Sequence, residues 1–238
     1  MIIGNPEPMK TIATLFLFLF SFSLQAQNFF DEADALFSKN VKDGLVDYVA
    51  IKKNPAALNA LIKQIGTAPT YKAEEEKAFL INAYNLFVIQ GIVENYPVEG
   101  PLKINGFFDK QTFNLRGSKT TLNDLEKVKL AKQFPDARLL LVVVCAAVGC
   151  PKLASFAYKG KELESQLESQ TRKTINDPTF IRLEGPTAKV SQIFDWYAAD
   201  FGGKEQVIPF IQKYLLKKVK LNPKYSFYEY DWRLNELK

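Results

Sequence analysis

The chain has 238 residues, a formal charge of +5, two cysteines and no histidine. Without an imidazole, Ser-His-Asp and Cys-His hydrolysis in their usual forms are excluded, and so are histidine metal sites. No phosphate-cradling glycine motif and no acidic loop with calcium-hand spacing occurs, and two cysteines cannot complete a zinc tetrahedron alone, so neither cofactor nor metal is expected. The mild positive excess is spread along the chain, which suits solubility and some attraction to anionic envelope polymers, and not nucleic-acid binding.

At the front, Lys10 supplies a positive start. Ile12 to Phe22 is almost wholly apolar, and small or polar residues fill Ser23 to Ala26. This is the three-part pattern of a cleavable signal peptide over residues 1–26, with the cut after Ala26 leaving Gln27 first. Met1 to Pro8 reads as lying upstream of the natural start at Met9. The apolar run is too short to span a bilayer well, and no cysteine near the cut could take a lipid, so the expected product is exported, periplasmic or secreted, and not transmembrane after cleavage. No repeat, low-complexity tract or long linker follows, so residues 27–238 are read as one globular domain.

Asn54-Pro55 predicts a helix start, with Leu58, Leu61, Ile62 and Ile65 as its apolar stripe and Gly66 as its end. Glu74, Glu75 and Glu76 open a second helix that runs to about Tyr96 and stops at Pro97. From Ala78 to Val93 it is apolar nearly all round, as a buried central helix should be. Gln111 to Thr121 predicts a hairpin turning at Gly117-Ser118, after which Thr121 caps a helix carrying Leu122, Leu125, Glu126 and Val128. The branched-apolar run from Arg138 to Cys145 predicts a strand buried on both faces, broken at Gly149-Cys150-Pro151. Lys161 to Thr174 reads as a polar amphipathic helix, Phe180 to Leu183 and Lys189 to Ile193 as short strands, and Gln206 to Lys218 as a basic helix. The expected class is α+β: a single helix-rich domain with a small mixed sheet around a buried central helix.

Cys145, at the end of the expected strand, is the candidate reactive thiol. A thiol with a pKa of about 8.5 needs a cation or base beside it, and Arg138, Lys127 and Lys152 are the candidate cations. The competing readings are a small buried cysteine or a Cys145–Cys150 disulfide. Asn82 and Asn85 share one face of the central helix and need partners, either a ligand or the backbone of a neighbouring segment. Glu126 is a candidate acid or base, with a salt-bridge or solvated role as the alternative. Tyr228, Tyr230 and Trp232 alternate either as a platform for sugars or as a staple for the last strand. Lys213, Lys217, Lys218 and Lys220 are read as complementing a helix dipole, ahead of a membrane-surface role.

Four blocks occur in order: EKAFLINAYNLFVIQGIVENYP (Glu76 to Pro97), TLNDLEK (Thr121 to Lys127), DARLLLVVVCAAVGCPKL (Asp136 to Leu153) and VSQIFDWYAADF (Val190 to Phe201). Together they resemble the bacterial and plant family known as domain of unknown function 547, over roughly Tyr48 to Phe201. The resemblance implies an α+β domain, often exported in bacteria, without an established reaction. Cys145, Glu126, Asn82, Asn85 and Cys150-Pro151 fit the family pattern. Where relatives commonly carry histidine, this chain has Lys127, Leu140 and a residue near Gln90, and Leu80 stands for a tryptophan. The leading expectation is therefore an exported binding or accessory module with weakened or lost catalysis. Its site would use Asn82, Asn85, Glu126, Cys145, Arg138 and Lys127, and its partner would be a small molecule, peptide or envelope polymer. The alternatives are a cysteine-dependent hydrolase or acyl transferase working without a histidine base, and a structural envelope protein. N-terminal sequencing of exported protein should begin at Gln27; retention of Met1 or Met9 would refute the signal assignment.

Overall fold

The computed structural model describes residues 29–238; the expected signal segment and cleavage site lie outside the described residues. Helix α1 (29–40) leads into a minimal antiparallel pair, β1 (Val41–Lys42) and β2 (Leu45–Val46). Helices α2 (Tyr48–Lys53), α3 (Ala56–Thr67) and α4 (Ala73–Asn95) follow. Next come a second hairpin, β3 (Phe113–Leu115) with β4 (Ser118–Thr120), and the short α5 (Leu122–Asp124), which runs on as a π-helical segment over Leu125–Ala131. After an irregular region come α6 (Leu163–Ile175), strands β5 (Ile181–Glu184) and β6 (Thr187–Val190), helices α7 (Ile193–Trp196) and α8 (Val207–Tyr214), and β7 (Tyr225–Phe227). The last sheet is mixed, with β6 antiparallel to β5 and parallel to β7. The chain is an α+β, helix-rich domain with small sheets.

Helix α4 is the centre of the larger core. Its first turn carries Glu74, Glu75 and Glu76 against the positive end of the helix dipole, and Pro97 forces Tyr96 into the extended conformation that ends it. Nearly every side chain from Ala78 to Val93 is buried, and α2, α3, the π-helical segment and α6 pack around it. At roughly 1.5–3 kcal/mol for each large apolar side chain withdrawn from water, this one helix organises the fold. The β3–β4 hairpin is pinned to its start by Arg116, which makes a bidentate ion pair with Glu76 (2.7 and 2.8 Å) and lies over the Phe79 ring. A second core gathers Ile181, Val190, Phe194, Val207 and Ile211 around the mixed sheet and α8.

Several expectations are corrected. Asn54 closes α2, donating its backbone N–H to Ala50 and Ile51, and α3 begins without a side-chain cap. Gly66 lies inside α3, where a Cβ would meet the Asn114 amide at 2.8 Å; it serves close packing, and the helix ends beside Pro69. The hairpin turns at Arg116-Gly117, both with positive φ, as a two-residue turn of this hand requires. Helix α8 stops at Tyr214, so only Lys213 of the four lysines lies in its last turn, and the dipole reading does not reach Lys217, Lys218 or Lys220.

The largest correction concerns residues 138–145. They form a 3-10 turn, Ala137–Leu141, and then an irregular buried run. An apolar stretch buried on both sides looks the same whether it is a strand or not, and among the described residues no neighbouring strand lies alongside. Asn85 takes that place: its amide donates to the Val142 carbonyl (3.0 Å) and its carbonyl accepts from the Val144 N–H (3.0 Å). One turn earlier, Asn82 does the same for Tyr158, donating to its carbonyl (2.7 Å) and accepting from its N–H (3.0 Å). Both asparagines are inaccessible to solvent, so an apolar replacement leaves two backbone groups unpaired. Asn82→Leu should therefore cost about 2–5 kcal/mol in chemical denaturation; an unchanged midpoint would contradict the clamp.

Candidate functional site

The clamp at Val142–Val144 delivers Cys145 to the seam between the two cores, where Cys145 and Cys150 are joined as a disulfide. Among the described residues no cysteine is free. The loop between them is held independently of the sulfurs. Val148 N–H donates to Arg233, Gly149 N–H to Asp231, and Asn235 N–H to Ala146, which binds the loop to the C-terminal segment. Gly149 is required for this approach, since a Cβ there would lie 2.9 Å from the Asp231 amide nitrogen. Ala146, fully buried, has φ of 63°, a left-handed conformation that costs a non-glycine residue free energy.

The cysteine pair lines a cleft of about 240 Å³. Tyr230 reaches it from the C-terminal segment and places its hydroxyl 3.1 Å from each sulfur. Leu140, Val143 and Ile193 supply apolar wall, and Trp196, Trp232 and Tyr230 close one side as a set of packed rings, the two indoles 5.8 Å apart and nearly parallel. Trp196 is 46% exposed, an unusual state for so large an apolar ring.

Glu126 is the one carboxyl among the residues lining the cleft. It sits in the π-helical segment, an arrangement that recurs at functional sites because it re-aims a side chain. Only 9% exposed, it accepts a hydrogen bond from the Tyr84 hydroxyl (3.1 Å), and Tyr197 provides a second phenol. Burial holds its carboxyl above the ordinary carboxylate range, with the bonds from Tyr197 and Tyr84 and the charge of Lys127 offsetting part of that effect. Burial also pushes the Tyr84 and Tyr197 hydroxyls upward, so both stay protonated donors at neutral pH.

Of the residues singled out in the sequence, Glu126 and Cys145 meet in this cleft. Lys127 borders an adjoining depression of about 480 Å³ that shares Glu126, Leu140 and Trp196 and adds Asp200. Lys127 and Leu140, two positions where the family resemblance implies histidine, thus stand next to Glu126 as a cation and an apolar side chain. Asn82 and Asn85 lie behind the cleft and hold backbone, so they do not line it. Arg138 faces away, bonded to Asp136 and Glu164, while Lys152 pairs with Asp177. Neither cation attends the sulfurs. Burial would raise the Asp136 carboxyl, but bonds from Arg138 and Lys77 outweigh it and hold the group at about 2. The alternating aromatics divide: Tyr228 bonds to Phe180 and stacks on Arg182 at the sheet, whereas Tyr230 and Trp232 turn into the cleft. Tyr84, Trp196 and Tyr197 were not singled out, because nothing in their spacing shows that they converge. Among the described residues no group of three or more Cys, Asp and Glu side chains is placed to hold a metal ion, and no helix is long and apolar enough to cross a membrane.

The site thus defines a helix-rich α+β domain with a disulfide-lined cleft that holds one buried glutamate. Residues 69–175 match the model of a family described as "Protein of unknown function, DUF547", which supports the resemblance for the stretch carrying α4, Glu126 and the cysteine pair. Trp196, Tyr197, Tyr230 and Trp232 fall beyond the matched stretch. No curated protein and no solved structure matches the chain.

Because the folded carboxyl of Glu126 binds its proton at higher pH than the unfolded one, its contribution favours folding at low pH and is lost as pH rises through the folded value. Relative to Glu126→Gln, the wild type should lose stability as pH rises from about 4.5 through the folded value of Glu126, and the difference should then level off. A difference between the two proteins that stays constant from acid to neutral pH would contradict this reading.

Proposed function

We propose that this chain is an exported binding module, a member of its family with weakened or lost catalysis, whose ligand occupies the cleft over the disulfide. The observation that carries the reading is the combination of an open cleft with a closed sulfur pair. A cysteine-dependent hydrolase needs a free thiolate and a proton acceptor, whereas here the sulfurs are bonded and the chain contains no imidazole. A purely structural envelope protein has no need of a half-exposed indole beside a buried, hydrogen-bonded carboxyl. An apolar, aromatic-walled cleft with a few convergent polar groups is the usual form of a ligand site.

The ligand suited to these walls is a small molecule, or one unit of a peptide or envelope polymer, that presents an apolar face to Trp196 and a hydrogen-bonding group to Glu126. Export places the module where such polymers occur, and the net positive charge favours anionic ones.

The two tryptophans of the chain both line the cleft, so intrinsic fluorescence reports its occupancy directly. Titration with soluble envelope-polymer fragments and short peptides should give a saturable change for at least one class. Trp196→Ala and Glu126→Gln should each weaken it by about tenfold, the loss expected for one good contact of roughly 1.4 kcal/mol. Binding unaffected by both substitutions would place the ligand elsewhere, and fluorescence unmoved by every class would favour the structural reading.

A further inference from the structure

The disulfide has surroundings that a merely structural crosslink does not need. Both cysteines line the cleft. Cys150 Sγ accepts from the Cys145 backbone N–H (2.9 Å) and from the Tyr230 hydroxyl (3.1 Å), while Tyr230 Oη is also the polar neighbour of Cys145 Sγ (3.1 Å). Two donors converging on one sulfur are arranged for negative charge on that atom. The bond also adds little to the positioning of its loop. It closes a ring with only four residues between the cysteines, the range in which crosslinking removes the least chain entropy. The same loop is tied at Val144 to Asn85 and at Ala146, Val148 and Gly149 to the C-terminal segment.

We propose that Cys145–Cys150 is a thiol-exchange centre that oxidises a small aliphatic thiol entering the cleft. The incoming thiolate attacks Cys145 Sγ, forming a mixed disulfide as the bond to Cys150 Sγ breaks. The released electron pair stays on Cys150 as a thiolate, held by the Cys145 N–H and the Tyr230 O–H. A second thiolate then attacks the sulfur of the bound thiol and expels Cys145. Two thiols leave as one disulfide, and the protein retains the two electrons and, after proton uptake, two thiols. Direction follows from the asymmetry of the donors: Cys150 is the better-stabilised leaving group, so Cys145 is the sulfur attacked. Leu140, Val143 and Ile193 give the alkyl part of the thiol an apolar wall. This goes beyond the binding role and needs no other ligand, so either can fail without the other.

The test treats the purified, air-oxidised protein in native buffer with glutathione, quenches with acid, blocks free thiols with an alkylating reagent and maps both cysteines by mass spectrometry. Glutathione should be found on Cys145 with Cys150 alkylated. Complete reduction by dithiothreitol should leave the circular dichroism and melting curve of a folded protein. Tyr230→Phe should slow adduct formation by about tenfold while keeping the fold, because one of the two donors to the leaving sulfur is removed and the Cys145 N–H remains. Cys150→Ala should accumulate a lasting adduct on Cys145 when given oxidised glutathione, which keeps the sulfur assignment testable if the tyrosine variant fails to fold. Reduction only in denaturant, an adduct confined to Cys150, or an unchanged rate in folded Tyr230→Phe would overturn the proposal. So would free thiols on both cysteines of the air-exposed protein.

Discussion

The site depends on an amide in the wrong place for a helix core. Asn85 points from the most buried face of α4 and supplies, with one side chain, the donor and acceptor that a neighbouring strand would have given to Val142 and Val144. Such a substitution is stable only if both bonds are made, since each buried group left unpaired costs on the order of 1–3 kcal/mol. What it makes possible is a backbone run that lies against the helix without being a strand, and so is free to turn at Cys145. Asn82 fixes Tyr158 in the same way, and the irregular region between the two clamped points contains the cysteine pair.

From that constraint the cleft follows. The larger core, built on α4, supplies Tyr84 and through the π-helical segment Glu126; the smaller core, built on the mixed sheet, supplies Trp196, Tyr197 and Tyr230. The disulfide loop touches both, and Gly149 lets the C-terminal segment come close enough to seat Tyr230 over the sulfurs. Chemistry and architecture meet at a seam, where side chains from different packing units converge and can surround a ligand. The stretch that matches the family carries the glutamate and the sulfurs, while most of the aromatic wall lies outside it.

Much of the scaffold was legible in the sequence because local signals agreed with the global fold. The all-round apolar pattern of Ala78 to Val93, the three glutamates before it and the proline after it define α4, and Thr121 accepts from the Asp124 N–H as a capping residue should. The buried asparagines declared that they needed partners, but which partners depends on segments 57 and more residues away. The run at 138–145 misleads for the same reason: burial on both sides is readable, whereas the absence of a pairing strand is a property of the assembled fold. Cys145 and Cys150 were compatible with bonded and free states, and the approach of Tyr230 across 80 residues left no local trace. Arg138 looked like a cation for the thiol because it lies near in sequence, but Asp136 and Glu164 hold it on the far side.

The preformed character of the site rests on the two asparagine clamps, and amide hydrogen exchange resolves them residue by residue. The Val144 and Tyr158 N–H groups belong to no helix or strand ladder, so without the clamps they would exchange like loop amides. Exchange as slow as that of the central α4 amides is expected at both positions. Exchange at either on the timescale of the exposed loops would mean that the backbone leading to the disulfide is not held by α4, and that the cleft is not built into the fold.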